Sequence, residues 1–150
     1  GWSQVAVSKV GKIGRVVATD VLPMEPIKGV KFILGDFTER TVLSTIIKSF
    51  NGAAADIIIS DMAPNLSGVK AIDQPRSMQL SELALEITES LLVEGGSFVV
   101  KLFHGEGFES LVCKCRGLFK NVKITKPESS RARSSETFLV AKGFEGRAVG

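Results

Sequence analysis

Short apolar runs and helical patterns alternate along nearly the whole chain, and no other feature limits the fold as strongly. The runs are Arg15 to Thr19, Val30 to Leu34, Asp56 to Ser60, Ser97 to Phe103, Val122 to Thr125 and Thr137 to Ala141. Helical patterns cover Ser3 to Val10, Thr38 to Phe50, Pro75 to Val93 and Gly107 to Phe119. Six short strands separated by helices predict βαβ units and a mostly parallel sheet. Asp56-Ile57-Ile58-Ile59-Ser60 is apolar on both faces, as a strand between two helix layers requires. The fold class predicted is therefore doubly wound α/β. In the long helix, Leu80, Leu83, Ala84, Ile87, Leu91 and Leu92 recur at spacings of three and four as a buried stripe, with Glu82, Glu86 and Glu89 outward. Only Lys126 to Glu136 joins the last two strands, too short for a crossover helix, so an antiparallel hairpin is predicted to close the sheet.

At 150 residues and 44% apolar, with no repeat and no Gly/Ser linker, the chain reads as one domain, 1–150, able to bury a core without disulfides or metal. Cys113 and Cys115, one residue apart, suit neither a bridge nor a zinc site and read as reduced packing residues in a cytoplasmic protein. No apolar run approaches the ~20 residues that span a bilayer, so membrane partners are not expected. The charge is uneven. Residues 1–50 carry seven basic and four acidic groups, 51–100 two and seven, and 101–150 ten and five. Six bases lie between Arg116 and Arg133 with Glu128 as the only acid, either a solvated rim or a footprint for phosphates.

In open α/β sheets ligands bind beyond the carboxyl ends of the strands. Asp20, Asp36 and Asp61 each follow a strand there, and Lys101 lies near the end of another. Asp20 stands about eighteen residues past Gly1-Trp2, the spacing at which a carboxylate meets a ribose hydroxyl; a helix cap or turn aspartate is the plainer reading, for Asp36 as well. Gly1 and Trp2 resemble the tail of a glycine-rich turn, though Trp2 also suits a core. Lys101 interrupts an apolar strand, where a lysine is costly unless paired or reaching past the strand end to solvent. His104, the sole histidine, suits a loop or nucleic-acid contact better than catalysis. Ser129 to Glu136 offers Arg131, Arg133 and four serines, a set suited to RNA phosphates and ribose hydroxyls or to a plain surface loop.

Taken together, Gly1-Trp2-Ser3-Gln4, Asp20-Val21-Leu22-Pro23-Met24, Gly35-Asp36-Phe37, Ser60-Asp61-Met62-Ala63-Pro64-Asn65, Val99-Val100-Lys101 with Gly105-Glu106-Gly107-Phe108, and Lys126-Pro127 with Ser129 to Glu136 carry a family signature. The chain resembles the FtsJ/RrmJ family of ribosomal RNA 2′-O-methyltransferases over essentially its whole length. The resemblance implies a Rossmann-like fold and S-adenosyl-L-methionine as cofactor. Its substrate would be the ribose 2′-hydroxyl of a uridine in 23S rRNA of the large ribosomal subunit, and the enzyme a cytoplasmic monomer that needs no metal. Asp61, Lys101 and Glu136 match three members of a Lys-Asp-Lys-Glu tetrad, with Lys101 as the base. Gly1, Trp2, Asp20, Asp36 and Asp61 match cofactor-contacting positions. Lys123, Lys126, Arg131 and Arg133, with Lys120, would hold RNA. A basic helix with the tetrad's first lysine, the first strand and most of a glycine-rich loop, about sixty residues in all, precede the matched part in the family and are absent from this sequence.

Two other readings stay open at this level. A non-catalytic RNA-binding module would keep the basic surface but has no need of Asp61, Lys101 and Glu136 together. A nicotinamide-dependent oxidoreductase shares the alternation and a ribose acid, but not the strand lysine and arginine-rich hairpin.

Overall fold

The structure is a computed structural model that describes residues 16–20, 30–34, 39–50, 54–60, 70–126 and 136–146. In chain order the elements are β1 (Val16–Asp20), β2 (Val30–Leu34), α1 (Arg40–Ser49), β3 (Ala55–Ser60), α2 (Lys70–Leu91), β4 (Leu92–Phe103), α3 (Phe108–Leu118), β5 (Phe119–Thr125) and β6 (Glu136–Phe144). All six strands fall where apolar runs predict them. The helix expected over Ser3 to Val10 lies outside the described residues.

Two compact units divide the chain, Gly1–Ala53 and Ala54–Gly150. In the first, β1 and β2 pair in parallel with Val16 opposite Val30 and Asp20 opposite Leu34. In the second, four strands lie in the order β3-β4-β6-β5. β3 runs parallel to β4, with Ser60 opposite Val100. β6 is antiparallel to β4 on one side and to β5 on the other. The hairpin predicted from the short connection is present, and its second strand is inserted between β4 and the first.

Alternation along β4 sorts the residues of this sheet. Phe98, Val100 and Leu102 are buried, and register pairs them with Ala141, Leu139 and Thr137, also buried. Onto this face pack Met78, Ala84 and Leu85 of α2 and Phe108, Leu111, Val112 and Cys115 of α3. Ser97, Val99, Lys101 and Phe103 lie on the opposite face and are half-buried. Ile57 of β3 is 47% exposed, so among the described residues the helices of this unit cover one face, not the two expected from the apolar run.

The long helix departs from its predicted pattern at both ends and in its buried face: it stops at Leu91, and Leu92 and Val93 open β4 instead. It begins at Lys70, so Pro75 stands inside it rather than at its start. Its deepest positions include Ser77, Ser81 and Thr88, while Leu80, Leu83 and Ile87 are only half-buried. Hydroxyls can face the core here because they bond within the helix: Ser81 Oγ donates to Ser77 O at 3.1 Å and Thr88 Oγ1 to Ala84 O at 2.8 Å. Cys115 is buried, but Cys113 is exposed, which corrects the expectation that both pack.

Candidate active site

The polar residues expected at one rim divide among the elements as follows. Asp20 is the last residue of β1, at the carboxyl end of a parallel strand pair. Ser60 is the last residue of β3 and sits opposite Val100, the residue before Lys101. Gly1, Trp2, Asp36, Asp61, Arg131 and Arg133 lie outside the described residues.

Lys101 and Glu136 are brought together by pairing of distant strands. Lys101 is opposite Phe138, and Glu136, two positions before it, is opposite Phe103. Residues on such a diagonal are about 7–8 Å apart. Lys123 belongs to the same sheet face, since it is opposite Val140, which is opposite Val99. Lys123 and Lys126 are both exposed. The basic run between Arg116 and Arg133 therefore does not form a single patch among its described members, because Arg116 is carried by α3, on the other side of the sheet.

The cost of a lysine inside an apolar strand is met by its position. Lys101 lies on the face away from the core, half-buried, and its Nζ is 5.8 Å from the centroid of the Phe103 ring. Residues two apart in a strand share a face, and a ring face attracts an ammonium within about 6 Å.

The turn after β4 is tightly made. Gln74 of α2 donates from Nε2 to Phe103 O at 3.1 Å and to Glu106 O at 3.0 Å. Gly105 has φ +147, and a Cβ there would lie 2.8 Å from Gln74 Cδ, so a side chain would displace the amide. His104 is exposed, with its ring 4.2 Å from that of Phe108. Neither Gln74 nor Phe103 stood out in the sequence. The Lys-x-Phe spacing within a strand was a usable signal for Phe103; a partner 29 residues away left none for Gln74.

Chemically, the paired ends of β4 and β6 bring together an amine-bearing residue, Lys101, and an acidic residue, Glu136, types suited to activating a hydroxyl. No group of three or more potential metal ligands gathers among the described residues, and no described helix is long and apolar enough to cross a membrane.

Comparison with known proteins follows this pattern. The FtsJ-like methyltransferase family model matches residues 1–144. The chain is 59% identical over 144 residues to the ribosomal RNA large subunit methyltransferase E of Marinobacter nauticus, covering 96% of this chain and 70% of that protein. A solved chain named as a ribosomal RNA methyltransferase of Plasmodium falciparum superposes with a TM-score of 0.84 at 29% identity, covering 97% of this chain and 81% of that one. Human methyltransferase-like protein 13, solved with S-adenosylhomocysteine, shares the fold at a TM-score of 0.59 and 14% identity, over 91% of this chain and 64% of its own.

Proposed function

The chain belongs to the FtsJ-like methyltransferase family, and on that premise we propose that it transfers a methyl group from S-adenosyl-L-methionine to the ribose 2′-hydroxyl of a uridine in 23S rRNA. The observation that carries the reading is the register of β4 and β6, in which Lys101 and Glu136 stand one diagonal step apart at the strand ends. The family match runs unbroken through both compact units, which supports taking residues 1–150 as one methyltransferase domain.

Asp20, at the carboxyl end of a parallel strand, suits the ribose hydroxyls of the cofactor, and Gly1, Trp2, Asp36 and Asp61 are the further cofactor-contacting residues of the proposal. S-adenosyl-L-methionine would supply a sulfonium methyl, an electrophile that needs alignment rather than covalent help. Lys101, as the free amine, accepts the hydroxyl proton at Nζ. Glu136 and Asp61 orient that amine. Lys123, Lys126, Arg131 and Arg133 hold the RNA backbone, so that binding weakens as salt rises. The proposed setting is the large ribosomal subunit in the cytoplasm, with the protein a monomer that needs no metal.

The test is transfer of labelled methyl to large ribosomal subunits lacking the modification, by the chain and by Lys101→Ala. Label in ribose that disappears with Lys101→Ala is the expected result. Label on a base, or full transfer by Lys101→Ala, would overturn the mechanism; RNA binding without any transfer would favour a non-catalytic RNA-binding module.

A further inference from the structure

Phe103 is held at two points, and both bear on Lys101. Its ring lies 5.8 Å from Lys101 Nζ, and its carbonyl oxygen accepts a hydrogen bond from Gln74 Nε2 at 3.1 Å. The same nitrogen donates its second hydrogen to Glu106 O at 3.0 Å, so one amide on α2 spans the end of β4 and the far side of the turn. Gly105 leaves the room for this crossing, because a Cβ would come within 2.8 Å of Gln74 Cδ. Gln74 is half-buried and immediately precedes Pro75 inside the helix.

We propose that Phe103 aims the Lys101 amine for proton transfer, and that Gln74 is the positioning residue that holds Phe103 in place. This rests on the reading of Lys101 as the base. A lysine side chain has four rotatable bonds and loses roughly 2 kcal/mol of rotamer freedom when fixed. A ring face at the strand end restricts the amine to the region beyond β4, where a hydroxyl is to be met, and spares part of that cost at the moment of reaction. Phe138 is the residue opposite Lys101 on β6. The other charged residues that register assigns to this face of the sheet are Glu136 and Lys142 on β6 and Lys123 on β5, Lys142 lying at the far end opposite Ser97, while β3 presents Ile57 and Ile59 there. An ammonium or amine on this face therefore has an aromatic guide along its own strand and an acidic residue one diagonal step away in the register.

The experiment compares Phe103→Leu, Phe103→Tyr, Gln74→Glu and the double variant Phe103→Leu/Gln74→Glu in the methyl-transfer assay, with Lys101→Ala as the reference. Gln74→Glu keeps the shape but turns an oxygen against both carbonyls. Phe103→Leu is expected to lower kcat about two- to five-fold, the range that a cation–π contact supports, with KM for S-adenosylmethionine and RNA within about twofold. Phe103→Tyr restores the rate, and the double variant is no slower than the slower single one, since both act through one residue. In 13C-lysine spectra the upfield ring-current shift of the Lys101 ε-methylene persists in Phe103→Tyr, weakens in Gln74→Glu and vanishes in Phe103→Leu. An unchanged kcat or an unchanged ε-methylene signal in Phe103→Leu, with Lys101→Ala inactive, overturns this proposal alone. Multiplying effects in the double variant overturn the role of Gln74. Turnover by Lys101→Ala removes the base reading, and this proposal with it.

Discussion

Gly143 of β6 and Lys120 of β5 approach so closely that a Cβ on the glycine would lie 3.0 Å from the Lys120 Cβ. Gly143 also has φ +76, a left-handed conformation that side chains disfavour. It is the point at which β6 changes face: Lys142 is exposed, yet Phe144, two positions later, is buried with its ring 5.2 Å from Phe119. The glycine thus lets the strand end turn its last aromatic back into the core.

Gly143→Ala is accordingly expected to destabilise the protein by about 1–2 kcal/mol, the cost of a left-handed residue with a Cβ. Gly117, in α3 with open space around it, provides the contrast, and Gly117→Ala should stabilise by about 0.5–1 kcal/mol. Urea midpoints measured at constant m-value check both. Equal effects from the two substitutions would show that conformation at Gly143 is unimportant.

Lys101 and Leu102 are neighbours on opposite faces, and their substitutions should separate activity from stability. Leu102 is fully buried, so Leu102→Ala is expected to cost about 2–5 kcal/mol. Lys101→Ala, on the half-buried face, should cost under about 1 kcal/mol while abolishing methyl transfer. A thermal melt and the transfer assay on both variants decide the matter, and a Lys101→Ala protein that unfolds would contradict the assignment of faces.

Burial pushes the Cys115 thiol up from 9.0 to about 12. In the unfolded chain the thiol ionises near its ordinary value, so between about pH 9 and 12 the unfolded state holds fewer protons than the folded one. Stability from this group is complete below pH 9 and falls as pH rises, by at most about 1.4 kcal/mol per unit. Urea unfolding at pH 8 and pH 10.5 should show a fall that Cys115→Ala reduces. At pH 8 a thiol reagent should label the exposed Cys113 well before Cys115; the reverse order would refute this account.

Salt dependence tests the proposed role of Lys123. If it contacts a phosphate, Lys123→Ala should weaken RNA binding similarly across sequences and reduce the slope of log K against log salt by about 1. An unchanged slope would exclude the contact.

Much of the fold was legible because apolar period and turn spacing are local properties. The six strand runs and the closing hairpin were readable on that basis. The buried stripe of α2 was misread toward Leu80, Leu83 and Ile87, because composition cannot show that Ser81 and Thr88 satisfy their hydroxyls within the helix. The start at Lys70 was hidden by Pro75, which usually marks a first turn. Of the candidate site, the residue types at the strand ends were visible; the bridge from Gln74 to the end of β4 was not, since nothing in a sequence links positions 29 apart.

The amino-acid sequence by itself determined the order of the described strands and helices, the family, and the places of Asp20 and Lys101 at or near the ends of their strands, because each follows from short-range pattern. Only the tertiary structure decided that β6 lies between β4 and β5, that Lys101 belongs to the face away from the core, and that Phe103 and Glu136 are its neighbours. The reason is register: side chains alternate with a period of two, so a slip of one residue in the pairing of β4 with β6 would change every neighbour across the strands. That pairing is fixed by the joint burial of Phe98, Val100 and Leu102 with Ala141, Leu139 and Thr137, residues more than thirty positions apart.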